Sequence, residues 1–155
     1  MELDSAYLYM SMSNWFVEQN LLGFSSWMMQ QYSEEMIHAM KMYQFLQDNG
    51  AKVVLEQIDK PKATWKSAQH VFEDTLGHEK KVTASIHKLY KQAKAESDYP
   101  TEIMLQWFIT EQIEEEATAD EILQKIIMVG PKSTAIWWID KDMAERGAPV
   151  APPEA

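Results

Sequence analysis

The chain has no cysteine among its 155 residues, which excludes a disulfide framework, thiolate metal sites and thiol catalysis. Glycine and proline are scarce, at 5 and 6 residues, so turns are few and the elements between them must be long. Positive charge is also short: 14 Lys and Arg stand against 24 Asp and Glu, for a net charge of −10. Such a surface repels phosphate backbones and favours cations, so no nucleic-acid partner is expected. No stretch approaches the roughly 18 apolar residues of a membrane span. The acidic opening, Glu2 and Asp4, is unlike a signal peptide. A soluble cytoplasmic protein with no membrane partner is expected. The rest is ordinary globular composition, 46% apolar and 25% charged, in a chain long enough for one domain with a substantial core.

Helical spacing dominates. The first segment runs from about Glu2 to Gln19 and stops at the turn 20–23. A second starts near Ser25, with serine as its N-cap, and ends at Asn49-Gly50, a C-terminal signal. At 1.5 Å per residue it is roughly 36 Å long. Residues 51–66 break the period with Val53-Val54, Pro61 and Trp65, making a long connection. A third helix is predicted from Ser67 to Ala95. After a short loop, Pro100 suits the first turn of a fourth, which ends at Gly130-Pro131. A short fifth runs from Ser133 to about Arg146, so the domain occupies 1–146 and residues 147–155 form a flexible tail. Four long helices with one crossover after the second describe an all-α, up-down-down-up four-helix bundle with an appended short helix.

The core stripes carry the functional signal. At alternating spacings of three and four, the first helix presents Glu2, Ser5, Tyr9, Met12 and Phe16. The second presents Phe24, Met28, Gln31, Glu35, His38, Met42 and Phe45. The third gives Phe72, Leu76, Glu79, Thr83, Ile86 and Tyr90, and the fourth Met104, Phe108, Gln112, Glu115, Ala119, Ile122 and Ile126. Each stripe is largely apolar, yet each holds a carboxylate in line. Several like charges in a low-dielectric interior would each cost several kcal/mol or force protonation. Lys and Arg are absent from these positions, so metal cations are the expected counter-charge. Glu35 and His38 lie three apart on one face and can point at one ion; Glu2, Glu79 and Glu115 add oxygens. An oxygen-rich set with one imidazole suits iron or manganese better than structural zinc, and four carboxylates balance two divalent ions.

In the segments ELDSAYLYMSMSNWF (2–16), EEMIHAMKMYQFL (34–46), HEKKVTASI (78–86) and LQWFITEQIEEEATADEIL (105–123), the sequence resembles the non-haem bacterial and archaeal ferritins. The resemblance runs along nearly the whole chain. It implies a ferroxidase centre with Glu2, Glu35 and His38 on one iron, and Glu35 bridging to a second held by Glu79 and Glu115. Gln112 matches the family's glutamine behind the ligands. Tyr9 matches a nearby tyrosine that acts as hydrogen-bond partner and electron donor. Glu34, Glu111 and Glu114 match a third, adjacent iron site. The resemblance further implies a hollow shell of twenty-four subunits that oxidises iron(II) with dioxygen or peroxide and stores ferric mineral.

The sequence departs from the family twice. Members carry several more helical turns before the position of Glu2, so the sequence is expected to be incomplete at that end, where a helix frays. Met36 follows Glu35 as in haem-binding bacterioferritins, but the fourth helix lacks their repeated Glu-x-x-His and has Gln112-x-x-Glu115. Haem is therefore not expected, and Met36 is assigned to an interface between subunits. Glu116 is read as a solvated helix residue, and His70, His78 and His87 as surface or structural. Most of the 11 Met and 6 Trp fall at packing positions, and Trp137-Trp138 is assigned to subunit contacts. Among rival functions, a non-catalytic shell subunit disagrees with the full ligand set. A rubrerythrin-like peroxidase needs cysteine, and a DNA-protecting relative needs a basic arm.

Overall fold

The computed structural model describes residues 1–130 and 133–145. The expected tail at 147–155 lies outside the described residues, as do Pro131 and Arg146. Among the described residues there are five helices and no strand: α1 (Glu2–Glu18), α2 (Leu22–Asp48), α3 (Ala68–Glu96), α4 (Tyr99–Val129) and α5 (Ile136–Glu145). None is long and apolar enough to cross a membrane. The described helices fall into two compact units, α1 and α2 with α5 in one, and α3 with α4 in the other.

In the first unit α1 and α2 pack on each other, and α5 packs on α2. The short turn between α1 and α2 places Asn20 in left-handed backbone (φ 58°), where its amide side chain is tolerated. The Leu21 N–H closes the α1 end on the Phe16 carbonyl at 3.0 Å. Phe16 and Phe24 then stack at 5.1 Å across the hairpin. The hydroxyls of Ser13 and Ser25 meet at 2.8 Å, satisfying two small buried polar groups and bringing the backbones close.

Ser25 is therefore not the N-cap of α2. The helix starts at Leu22, and the capping residue Leu21 has no side-chain acceptor to offer. The acceptor comes from α5: Phe24 N–H donates to Asp140 Oδ1 at 2.9 Å. This is the bond an N-cap side chain makes to the third helical residue, supplied here from 116 positions away. Gly23 permits the approach, since a Cβ there would lie 1.6 Å from the Asp140 carbonyl oxygen. At its other end α2 closes through Gly50 (φ 71°), which lets Ala51 N–H reach the Leu46 carbonyl at 2.9 Å.

The predicted connection has no regular secondary structure over 51–65. Its end is nonetheless tied to α1: Ser11 Oγ donates to the Lys62 carbonyl at 2.7 Å, and buried Trp65 packs edge-on to Trp15 at 6.1 Å.

The second unit is the α3–α4 hairpin. Both helices have local caps, at the starts expected near Ser67 and Pro100. Ser67 accepts from His70 N–H at 3.2 Å, and Asp98 accepts from Thr101 N–H at 3.2 Å, with Pro100 in the first turn of α4. Ser97 takes the left-handed conformation (φ 57°) that ends α3. Phe72, Val82, Ile86, Leu105, Phe108, Ile122 and Ile126 are buried.

Candidate functional site

All five stripe residues of α1 are buried. Glu2 is the first helical residue and is only 4% exposed. Ser5 N–H bonds the Met1 carbonyl at 3.0 Å in this turn. Tyr9 is buried and lies edge-on to Trp27, with ring centres 6.4 Å apart. On α2, Glu35 and His38 are 5% and 6% exposed and share a face as their spacing requires, with Glu35 Oε2 3.6 Å from His38 Nδ1. Burial, followed by the nearby Lys41 charge, pushes the His38 pKa down from 6.5 to about 4. Its imidazole is therefore neutral at pH 7, the state in which a ring nitrogen can bind a metal. Gln31 is buried in the same stripe and donates from Nε2 to Glu34 Oε2. Glu34 is half-buried, and so is Met36.

The second unit holds its own polar core. Glu79 is 1% exposed in the middle of α3. Buried Gln112 on α4 donates from Nε2 to Glu79 Oε2 at 3.1 Å, to the Glu79 carbonyl at 3.3 Å and to Thr83 Oγ1 at 3.2 Å. Thr83 Oγ1 in turn donates to Glu116 Oε1 at 2.5 Å. Glu115 is half-buried rather than sealed. Of the residues expected to form a third metal site, Glu111 is half-buried and Glu114 exposed. Among the described residues no group of three or more His, Asp or Glu side chains stands ready to enclose a metal ion.

Sequence reasoning missed one member of this network and gave another no role. Glu116 is half-buried and engaged by Thr83, not a solvated helix residue. The available signal was a pair of matched one-turn steps: Thr83 follows Glu79 by four residues, as Glu116 follows Gln112. His70 has the structural role expected for it, accepting from Lys66 N–H at 3.4 Å beside Asp74. Trp137 and Trp138 on α5 are 53% and 62% exposed.

The sequence profile described as Ferritin-like domain matches residues 1–129. The chain is 36% identical over 140 residues to a bacterial non-heme ferritin of Campylobacter jejuni, covering 90% of this chain and 84% of the relative. It is 31% identical over 144 residues to a bacterial non-heme ferritin of Escherichia coli, covering 93% and 87%. Among solved structures, an open-pore ferritin from the hyperthermophilic archaeon Archaeoglobus fulgidus superposes with a TM-score of 0.92 at 41% identity, covering 94% of this chain and 90% of that one. The all-α fold is thus the ferritin fold, and the chain belongs to the ferritin family.

Proposed function

We propose that this chain is an iron-storing ferroxidase: it binds iron(II) as substrate, passes its electrons to dioxygen or peroxide, and retains the ferric product as mineral inside a cage of twenty-four copies. The observation that carries this reading is burial of ionisable side chains in both units: Glu2 and Glu35 with a histidine held neutral in the first, and Glu79 in the second. Buried carboxylates are costly unless a cation relieves them, and a neutral imidazole adds a ligand without adding charge of the wrong sign. Family membership supports the identity of that cation as iron.

In this reading Glu2, Glu35 and His38 bind one iron and Glu79 and Glu115 a second, with Glu35 bridging. Carboxylates are hard donors that favour iron(III) over iron(II), so oxidation becomes easier once the ion is bound. Gln112 orients Glu79. Tyr9 serves as hydrogen-bond partner and electron donor. Glu34, Glu111 and Glu114 take a third iron, for which the mixed exposure of these side chains supports a weaker, more open site. The exposed Trp137-Trp138 pair supports burial of α5 against other copies, since two adjacent indoles are costly to leave in water. A cytoplasmic location and an oligomeric shell complete the proposal.

Anaerobic iron(II) titration followed by stopped-flow mixing with air tests it. Rapid oxidation saturating near about two irons per chain is expected, with slower uptake of a third. Oxidation that never saturates and runs at the rate of free iron would sink the proposal.

A further inference from the structure

The amide of Gln112 is set by more than its own contacts. Its Nε2 faces three acceptors: the Glu79 carboxylate oxygen Oε2, the Glu79 carbonyl and Thr83 Oγ1. A threonine hydroxyl is ambivalent, with one proton to donate and lone pairs to accept. Left alone, Thr83 could turn its proton toward Gln112, setting donor against donor at Nε2 and loosening the hold of the amide on Glu79. Glu116 removes that freedom. Its carboxylate only accepts, so the single Thr83 proton is committed to Glu116 Oε1 at 2.5 Å, and Thr83 can only accept from Gln112. Charge on the carboxylate also makes this the strongest link of the chain. The polarity therefore runs one way, from Gln112 N–H to Thr83 and from Thr83 O–H to Glu116.

We propose that Thr83 and Glu116 are positioning residues for the iron site, acting together to hold Gln112 Nε2 on Glu79 Oε2 and so fix the orientation of the Glu79 carboxylate. The inference rests on Glu79 being an iron ligand, as proposed above. The alignment serves Glu79 specifically, because Gln112 bonds both its side chain and its backbone carbonyl. Partners behind metal ligands typically contribute 10–100-fold in metal affinity when they orient the donor.

Anaerobic calorimetric titration of the whole protein with Co(II), a divalent probe that is not oxidised, tests the inference without reference to activity. Helicity and melting temperature confirm that each variant is folded. Glu79→Ala identifies the binding step that depends on Glu79. Thr83→Val, which keeps the shape and removes the hydroxyl, should weaken that step by about tenfold and leave the other step unchanged, and Thr83→Ser should restore it. Glu116→Gln keeps an acceptor but loses the charge and adds a competing donor, so it should fall between the wild type and Glu116→Ala, which should drop to the Thr83→Val level. Because the two residues act through one hydroxyl, the double variant Thr83→Val/Glu116→Ala should be no worse than either single one. The inference is overturned if Thr83→Val binds like the wild type, weakens both steps alike, or is not rescued by serine, or if the two substitutions add. A wild-type chain with no Glu79-dependent step would instead refute the proposed ligand set, so the two failures can be told apart.

Discussion

The two units of this chain build polar interiors by different means. In the first, Glu35 and His38 are brought together by helical pitch alone: three residues apart on α2, they share a face whatever α2 packs against. In the second, Glu79 and Gln112 meet across two helices, 33 positions apart, and are joined by hydrogen bonds that then extend through Thr83 to Glu116. The caps reverse the pattern. In the second unit α3 and α4 are capped by their own neighbours Ser67 and Asp98, while in the first α2 is capped by Asp140 from α5. Local geometry places the first unit's candidate ligands and the second unit's helix ends. Tertiary packing places the rest.

The largest expected effect lies in the pitch-built pair. Glu35→Ala removes the proposed bridging carboxylate, and initial iron oxidation measured by stopped-flow absorbance should slow by more than about a hundredfold, beyond the range for residues that merely orient ligands. An unchanged initial rate would leave only a structural shell subunit. The same pair should make stability depend on pH. Folding holds His38 neutral, with its pKa lowered from 6.5 to about 4 by burial and Lys41, so on acidification the unfolded chain takes up the proton first. Stability from this group is complete above about pH 6.5 and is lost as the pH falls toward 4. The loss is of the order of 3 kcal/mol, at about 1.4 kcal/mol per unit. Urea denaturation of the metal-free protein across that window should show a shallower decline for His38→Gln than for the wild type.

The contrast between distant and local caps predicts smaller effects. Gly23→Ala forces a methyl group against the backbone of α5 and should destabilise the chain by about 2–3 kcal/mol, read from the denaturation midpoint. Asp140→Ala leaves the α2 end short of its acceptor and should cost about 1 kcal/mol. Ser67→Ala, the local counterpart, should cost about the same, and the two substitutions should add because they lie in separate units. A much larger loss for Asp140→Ala would mean that α5 detaches altogether when the distant cap is broken.

Most of the helical architecture was legible from spacing and punctuation. The α1 stripe is buried at every position named from the sequence, and the turn signals at Asn49-Gly50, Ser67 and Pro100 fall at observed helix ends. The stripes fail where a neighbour is not fully supplied. Leu76 and Glu115 are half-buried, and Met42 is half-buried beside an open groove that it lines with Tyr43, Leu46 and residues 53–58. The start of α2 was misread because Ser25 is a residue type favoured at N-caps and precedes an apolar helical run. Its hydroxyl is instead engaged by Ser13 from the facing helix, and no local rule reports that.

The sequence by itself determined which side chains share a helical face, because that follows from 3.6 residues per turn and needs no partner. Glu35 with His38, Glu79 in line with Thr83, and Gln112 in line with Glu116 were all determined in this sense. Only the tertiary structure decided what those faces bond to. Gln112 lies on Glu79, Thr83 turns its proton to Glu116, and Asp140 closes α2 from the far end of the chain. Those choices depend on which donors and acceptors meet once helices pack. A hydrogen bond formed across 33 or 116 residues leaves no period in the sequence between them.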